Sequence, residues 1–93
     1  MGEARDLGNH GISVTVRFFA AARDAAGADE EDIRLPAGSS LADLTAALTV
    51  RDGQLGQVLQ KCSYLRDGFA VRDLHGELQS GQMIDVLPPF AGG

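Results

Sequence analysis

The sequence predicts an α+β fold, a mixed sheet of about five strands with one main helix packed on one face. Residues 12–18 and 83–87 show the apolar–polar alternation of strands that bury one side. Between them, Leu41, Leu44 and Leu48 recur at helical spacing and form one apolar helix face. An apolar sheet face and an apolar helix face leave water when they pack together, and this packing gives the predicted fold class.

The first third of the folded body is predicted to hold two strands joined by a short helical turn. After the first strand, the alanine-rich segment 19–27 ends in glycine, as a short helix often does. Residues 29–35 carry Ile33 and Leu35 on alternate positions and predict the second strand. We interpret the acidic start of this segment, residues 29–32, as a solvated turn.

Two helical pieces are predicted in the middle of the chain. Ser40 and Asp43 have the spacing of a capping box, with Asp in place of the preferred Glu, so the main helix begins there. Residues 52–53 (Asp-Gly) interrupt the apolar pattern. Helical spacing resumes at Leu55 and reaches Cys62, which we interpret as a small buried hydrophobe without a redox role.

The last third predicts short strands and loops. The segments 64–65 and 69–71 read as strands about the tight turn 66–68, and residues 74–80 form a loop. The final strand is predicted at residues 83–87.

Alternation in this final strand assigns its two faces. Ile84 and Val86 point one way, whereas Met83, Asp85 and Leu87 point the other.

The element order favours a β-grasp fold, in which the first and last strands lie side by side in the middle of the sheet. A small ferredoxin-like domain is the alternative, but it requires two comparable helices separated by a strand pair.

Composition limits the classes of function. The 93 residues are enough for one domain, which we place at residues 12–87, between a flexible leader at 1–11 and an extended tail at 88–93. A single cysteine excludes a disulfide within the chain and a cysteine-based zinc site, and it favours a cytoplasmic setting. The net charge of −5 argues against nucleic acid and favours a partner with a basic patch. No apolar run has the ~20 residues of a membrane span.

The end of the chain is its most informative part. Pro88 and Pro89 follow the last strand directly, and because neither can donate a ladder hydrogen bond, we expect them to lead the chain outward on an extended path. Phe90 would be an exposed aromatic group suited to docking on a partner. Gly92 and Gly93 have no side chains, so they can thread a narrow channel.

This tail predicts a chemical role for the terminal carboxylate. A carboxylate is a poor electrophile, but adenylation by a partner would activate its carbon, and a sulfur donor could then convert it to a thiocarboxylate. The chain would act as a carrier that delivers this sulfur to the active site of another protein. This role fits the lack of a Ser/His/Asp set, a metal-ligand cluster or a phosphate-binding loop in its sequence. We interpret Asp43, Asp67 and Asp85 as a cap, a turn residue and part of a solvated strand face.

Two stretches carry a resemblance to a known family. They are VRFFAAARDAAG at residues 16–27 and LQSGQMIDVLPPFAGG at residues 78–93. The chain resembles the ubiquitin-like sulfur carriers of the MoaD/ThiS family over about residues 12–93, and most closely the MoaD-type small subunits of molybdopterin synthase. Where the family usually has Gly-Asp before the last strand, this chain has Gly81 and Gln82.

The resemblance implies a fold, partners and a reaction. The fold would be β-grasp, and Gly93 would be adenylated by a MoeB-like activating enzyme that uses ATP, without a stably bound cofactor or metal in the chain itself. A sulfur donor protein would then supply the thiocarboxylate sulfur. The carrier would dock on a MoaE-like large subunit, two of each in the complex. The tail would enter the pocket of that subunit, where the active site is expected, and donate sulfur to cyclic pyranopterin monophosphate.

The resemblance also implies docking residues. Gly92, Phe90 and Leu87 map onto the tail and its apolar docking region. We add Phe69 and Val71 to that region, although burial in the core is the interpretation that we favour for both. Other functions stay open at this point: a sulfur carrier for cysteine or thiamin synthesis, a ubiquitin-like protein modifier joined to lysines through Gly93, or a plain binding module.

Overall fold

The computed structural model describes residues 11–89. It contains five strands and three helices within these residues, in the order β1 (Gly11–Phe18), α1 (Ala20–Ala26), β2 (Glu30–Pro36), α2 (Leu41–Arg51), α3 (Gly53–Leu59), β3 (Ser63–Arg66), β4 (Phe69–Ala70) and β5 (Met83–Leu87). Residues 1–10 of the predicted leader and the last four residues of the predicted tail lie outside the described residues. Gly11, which was predicted to end the leader, begins β1 and pairs with Pro36.

The sheet has the strand order β2-β1-β5-β3-β4. β1 and β5 run parallel at its centre, with Arg17 beside Asp85, and the other neighbouring strands are antiparallel. The first and last strands are therefore adjacent, as predicted, and the α+β, β-grasp prediction is confirmed.

The core lies between one face of the sheet and the helices. The side chains that alternate toward this face from β1, β2 and β5 are buried together with the apolar faces of α2 and α3. The most completely buried large side chains are Phe18, Leu41, Leu44, Leu55, Leu78, Ile84, Val14, Val16 and Val86. The opposite face of the sheet carries no helix among the described residues. We call this surface the open face.

Two helix boundaries follow from the sequence as predicted. The Ser40 hydroxyl accepts from the Asp43 backbone N–H at 3.1 Å, and the Asp43 carboxylate accepts from the Ser40 N–H at 2.9 Å, which completes the capping box. The backbone and hydroxyl donors of Ser40 lower the pKa of Asp43. Gly27 ends α1 with φ +77°, a backbone angle that favours glycine.

The break between α2 and α3 is also explained by a cap. The Asp52 carboxylate accepts from the backbone N–H groups of Gln54 and Leu55 at 3.0 and 3.2 Å. The predicted extension of this second helix to Cys62 is wrong, because α3 ends at Leu59. Cys62 lies beyond the helix end, partly buried against the core, as expected for a small hydrophobe.

One further prediction needs correction. Glu30, Glu31 and Asp32 belong to β2 and are not a turn, because all three pair with β1, so the turn is limited to residues 27–29.

The predicted loop at residues 74–80 is confirmed, and it also contributes to the core. Its Leu78 is 2% exposed and donates its N–H to the Ser39 carbonyl at 2.8 Å, which anchors the loop in the core.

The tight turn between β3 and β4 is confirmed. Asp67 and Gly68 both have positive φ, +49° and +88°, as the two central residues of a type I′ hairpin turn require. The Asp67 carboxylate also accepts from the Met83 N–H at 2.9 Å, which joins the hairpin to the start of β5.

Tyr64 should titrate far above an ordinary tyrosine. Its hydroxyl donates to the Leu59 carbonyl at 2.8 Å, and burial raises its pKa to about 12. Since the chain has one tyrosine and no tryptophan, phenolate absorbance reports this residue alone. We expect a midpoint near pH 12 in the folded protein and near ~10 in urea.

The same shift gives the sign of a stability change. Because folding raises the pKa, the neutral phenol stabilises the folded state fully below about pH 10, and this contribution is lost as the pH rises toward 12. Tyr64→Phe should lack the absorbance change. A midpoint near ~10 with native circular dichroism would contradict the buried position.

Gly56 should not tolerate alanine. A Cβ at Gly56 would lie 2.5 Å from Thr49 Cγ2, and Thr49 is held in place because its hydroxyl donates to the Thr45 carbonyl at 2.7 Å. We expect Gly56→Ala to lower the free energy of unfolding by about 1–3 kcal/mol in urea denaturation. Gly53→Ala is the matched control, since nothing lies within 4 Å of its Cβ, and it should gain up to about 1 kcal/mol. Equal effects of the two substitutions would refute the close contact between α2 and α3.

Candidate functional site

The candidate site is the carboxyl end of β5, from which the tail departs. β5 lies between β1 and β3, so the chain leaves from the interior of the sheet and not from an edge. The strand ends at Leu87, and Pro88 and Pro89 follow outside any ladder. The predicted functional residues Phe90, Gly92 and Gly93 lie outside the described residues.

The structure separates the described docking candidates. Leu87 is half-buried at one end of β5, opposite Ser63. Phe69 lies near the other end of β5, because it pairs with Arg66 and Arg66 pairs with Ile84. These residues do not form one surface patch.

Core burial was the other interpretation for Phe69 and Val71, and the structure gives a different answer for each. Phe69 is 78% exposed, so burial in the core is wrong for this residue. Val71 is partly buried against the core, and its N–H donates to the Tyr64 carbonyl at 3.0 Å.

An ion pair occupies the open face beside the exit of the tail. Arg17 donates from Nε and Nη2 to the two carboxylate oxygens of Asp85, at 2.6 and 2.9 Å. Asp85 is only 6% exposed, so the prediction of a solvated position is wrong. The carboxylate is covered because Arg17 lies directly beside it in the parallel register. The hydrogen bond and the charge of Asp85 raise the pKa of Arg17.

Apolar side chains surround this ion pair. The Arg17 guanidinium carbon lies 5.8 Å from the centre of the Phe19 ring, a cation–π arrangement. Phe19 is 41% exposed, and its N–H donates to the Val86 carbonyl at 3.3 Å, which holds it beside the end of β5. Leu65 flanks Asp85 on the β3 side. We call the surface made of Arg17, Phe19, Leu65, Asp85 and Leu87 the β5 patch.

The β5 patch was not predicted from the sequence as a unit. The available signal was the opposite charge of Arg17 and Asp85, both at outward positions of strands predicted to be neighbours. Periodicity gives the face of each residue but not the register between strands, so it could not pair the two.

A surface cleft adjoins the root of the tail on its other side. Its volume is about 410 Å³, and it lies between α1, α3 and the two prolines. The lining residues are Ala21, Gln54, Gln57, Val58, Lys61, Pro88 and Pro89. The tail therefore leaves the sheet between a patch of mixed character and a shallow cleft.

The described side chains offer little chemistry of their own. In residues 11–89, no three His, Cys, Asp or Glu side chains stand together as a metal site would require. Burial raises the pKa of the Cys62 thiol, which disfavours the reactive thiolate, and the Sγ–H donates to the Val58 carbonyl at 3.2 Å. Over the same span, no helix has the length and apolar character needed to cross a bilayer. The arrangement is suited to presenting a segment of chain and to contacting a protein.

Comparison with known proteins finds a family and a relative that agree with each other. Residues 16–93 match the ThiS family. The molybdopterin synthase sulfur carrier subunit of Chlamydomonas reinhardtii is 29% identical over 83 residues, which are 88% of this chain and 100% of that protein.

Two solved structures illustrate the range of similar proteins. The first, a complex of subunits 1 and 2 of molybdopterin-converting factor from Helicobacter pylori, has a chain that matches with a TM-score of 0.62 and 28% identity, covering 88% of this chain and 100% of that one. The second is small archaeal modifier protein 1 from Methanosarcina acetivorans. It matches with a TM-score of 0.76 and 27% identity, covering 90% and 99% of the two chains.

Arg17 should matter more for stability than an exposed arginine nearby. Arg17→Met removes both hydrogen bonds to a buried carboxylate, so we expect the thermal unfolding midpoint to fall by several degrees. Arg23→Met is the matched control, because Arg23 lies 3.7 Å from an Asp29 side chain that is 84% exposed. The control should leave the midpoint nearly unchanged. A midpoint for Arg17→Met equal to that of the control would show that Asp85 does not depend on Arg17.

Proposed function

The chain belongs to the ThiS family, and from this premise we propose that it is the sulfur carrier subunit of a molybdopterin synthase. One observation carries the proposal. The central strand β5 ends at Leu87, two prolines lead the chain away from the ladder, and the sequence that follows is Phe-Ala-Gly-Gly. The family match extends through this segment to Gly93. Similarity to a sulfur carrier subunit supports the same conclusion, because the match covers the whole length of that subunit and 88% of this chain.

The proposed chemistry takes place on the carboxylate of Gly93. An activating enzyme of the MoeB type transfers AMP from ATP to this carboxylate and releases pyrophosphate. A sulfur donor protein then supplies sulfide-level sulfur, which attacks the carbonyl carbon and displaces AMP, so the carboxylate becomes a thiocarboxylate. The thiocarboxylate sulfur finally bonds to cyclic pyranopterin monophosphate, and water cleaves its bond to the carbonyl carbon, which returns the carrier to its carboxylate form.

The body of the protein supports this reaction by presenting the tail. Gly92 and Gly93 offer no side chain to a narrow active site, so the partner can close around backbone alone. The catalytic groups are proposed to lie on the larger subunit and the activating enzyme, which makes this chain a non-catalytic subunit. The setting we propose is the cytoplasm.

The proposed partner is a large subunit of the MoaE type, with two copies of each chain in the complex. A similar protein is part of a complex of subunits 1 and 2 of molybdopterin-converting factor, which supports a two-subunit arrangement. Docking would use Leu87 and Phe90 near the root of the tail. Phe69 stays a docking proposal at the opposite end of β5. Val71, which is hydrogen-bonded to Tyr64 of β3, stays one as well.

A protein modifier is the second candidate function. Similarity to small archaeal modifier protein 1, at 27% identity over 90% of this chain, supports it. In this role Gly93 would be joined to lysines of target proteins, and conjugates of higher mass would appear in cells. Carriers that serve cysteine or thiamin synthesis would share the activation chemistry and differ only in the partner.

The decisive measurement is the intact mass of the protein. Incubation with an activating enzyme, ATP and a sulfur donor should add ~16 Da, because sulfur replaces one oxygen of the terminal carboxylate. Protein purified from its own cells should show the same species. Absence of the sulfur-bearing form under both conditions would refute the sulfur carrier function.

Three variants localise the reaction to Gly93. Deletion of Gly93, addition of one residue after it, and amidation of its carboxylate should each abolish molybdopterin formation, because each removes, displaces or blocks the reacting carbon. A plain binding module would tolerate all three changes. Conjugates without a thiocarboxylate would instead favour the modifier function.

A further inference from the structure

We propose that Arg17 is a specificity-determining contact for the large subunit. Its guanidinium, held in place by Asp85 and Phe19, donates a hydrogen bond to a neutral oxygen of the partner. This inference rests on the proposed function, because the large subunit that receives the tail is the occupant of the β5 patch.

The first argument is that Arg17 is fixed before any partner binds. Its Nε and Nη2 are held by both oxygens of Asp85, and Phe19 lies against the guanidinium at 5.8 Å. The parallel register places Arg17 directly beside Asp85, so the bidentate geometry follows from the sheet itself. A side chain already held in one conformation loses little entropy on binding, so its hydrogen bond contributes more to affinity.

The second argument is that Arg17 keeps donors available. A guanidinium has five N–H groups, and two of them serve Asp85. Within residues 11–89, the hydrogen bonds of Arg17 to other side chains go to Asp85 alone, and its side chain is 42% exposed. The remaining donors, including both on Nη1, can therefore reach a partner that covers the open face.

The third argument concerns the charge of the acceptor. Asp85 already balances the charge of Arg17, and Glu30 lies opposite Arg17 on β2. A carboxylate brought to this place would meet two carboxylates and one cation, and the extra repulsion would offset the gain. A neutral oxygen, such as a backbone carbonyl or a side-chain amide, gains the hydrogen bond without that repulsion.

The fourth argument connects the β5 patch to the tail. Leu87 belongs to the patch and is followed at once by Pro88, so a partner that takes up the tail comes within reach of the adjoining sheet face. Phe19, Leu65 and Leu87 surround the ion pair with apolar surface, a composition typical of the buried centre of interfaces. A partner without the matching oxygen would leave desolvated donors unpaired, and this penalty provides the discrimination.

The test replaces the ion pair without leaving a lone charge. Arg17→Met with Asp85→Leu substitutes apolar side chains of similar volume for both partners, a change that proteins often accept without losing stability. The chain offers a matched control. Arg51 and Glu31 form an ion pair with the same two distances, 2.6 and 2.9 Å, and Glu31 pairs with buried Val16, so this pair lies on the helix side of the sheet. The control is Arg51→Met with Glu31→Leu.

The measurement is the dissociation constant for the purified large subunit of the molybdopterin synthase of the same organism, by calorimetry. We expect the Arg17/Asp85 double variant to keep its thermal midpoint and to bind about tenfold more weakly, whereas the control double variant binds as the unaltered protein does. Equal affinity of both double variants would overturn the inference and leave the proposed function intact. No binding by the unaltered protein would overturn both.

A conservative variant protects the test against a folding defect. Arg17→Lys keeps the positive charge beside Asp85 but loses the planar fork, so it should stay folded and bind several-fold more weakly.

The dependence of the affinity on salt concentration distinguishes a neutral acceptor from a charged one. Between about 0.1 M and 1 M salt the Debye length falls from about 10 to about 3 Å, and the affinity ratio between unaltered protein and double variant should persist. A ratio that collapses at high salt would overturn the neutral acceptor.

Discussion

The parallel ladder between β1 and β5 joins the beginning and the end of the folded domain, and the position of each candidate functional group depends on it. It places the last strand inside the sheet, so the tail starts from the most strongly held part of the structure. It also sets Arg17 beside Asp85 on the open face. In the proposed function the reacting atom belongs to Gly93, and its position then depends on β5, because a shift of β5 would move the root of the tail by the same distance.

The two faces of the sheet differ in composition and in role. The inner face buries the alternating side chains of β1, β2 and β5 against α2 and α3, and this burial supplies the stability. The outer face carries polar groups in general, but near the exit of the tail it carries Phe19, Leu65 and Leu87 around an ion pair. In the proposed function the inner face supplies most of the stability and the outer face contacts the partner, although the Arg17–Asp85 ion pair of the outer face also contributes to stability.

Local chemistry made much of the fold predictable. The capping box at Ser40, the cap at Asp52 and the glycines that end α1 and turn the β3–β4 hairpin depend on residues close in sequence, so their pattern is visible without coordinates. What local patterns could not show depends on contacts between distant segments. The acidic start of β2 was predicted wrongly because pairing with β1 holds it in the sheet, and the burial of Leu78 was not predicted because it depends on a loop that folds back onto Ser39.

The sequence by itself determined the order of strands and helices, from which the β-grasp fold was predicted, and the two prolines that follow the last strand, because strand period, helix caps and prolines act over a few residues. Only the tertiary structure decided that Asp85 is buried in an ion pair, that Phe69 is exposed and that Leu87 lies far from it along β5. The physical reason is that burial and register are properties of pairs of strands. A period of two assigns each side chain to a face, but the neighbour it meets there depends on how strands from opposite ends of the chain align.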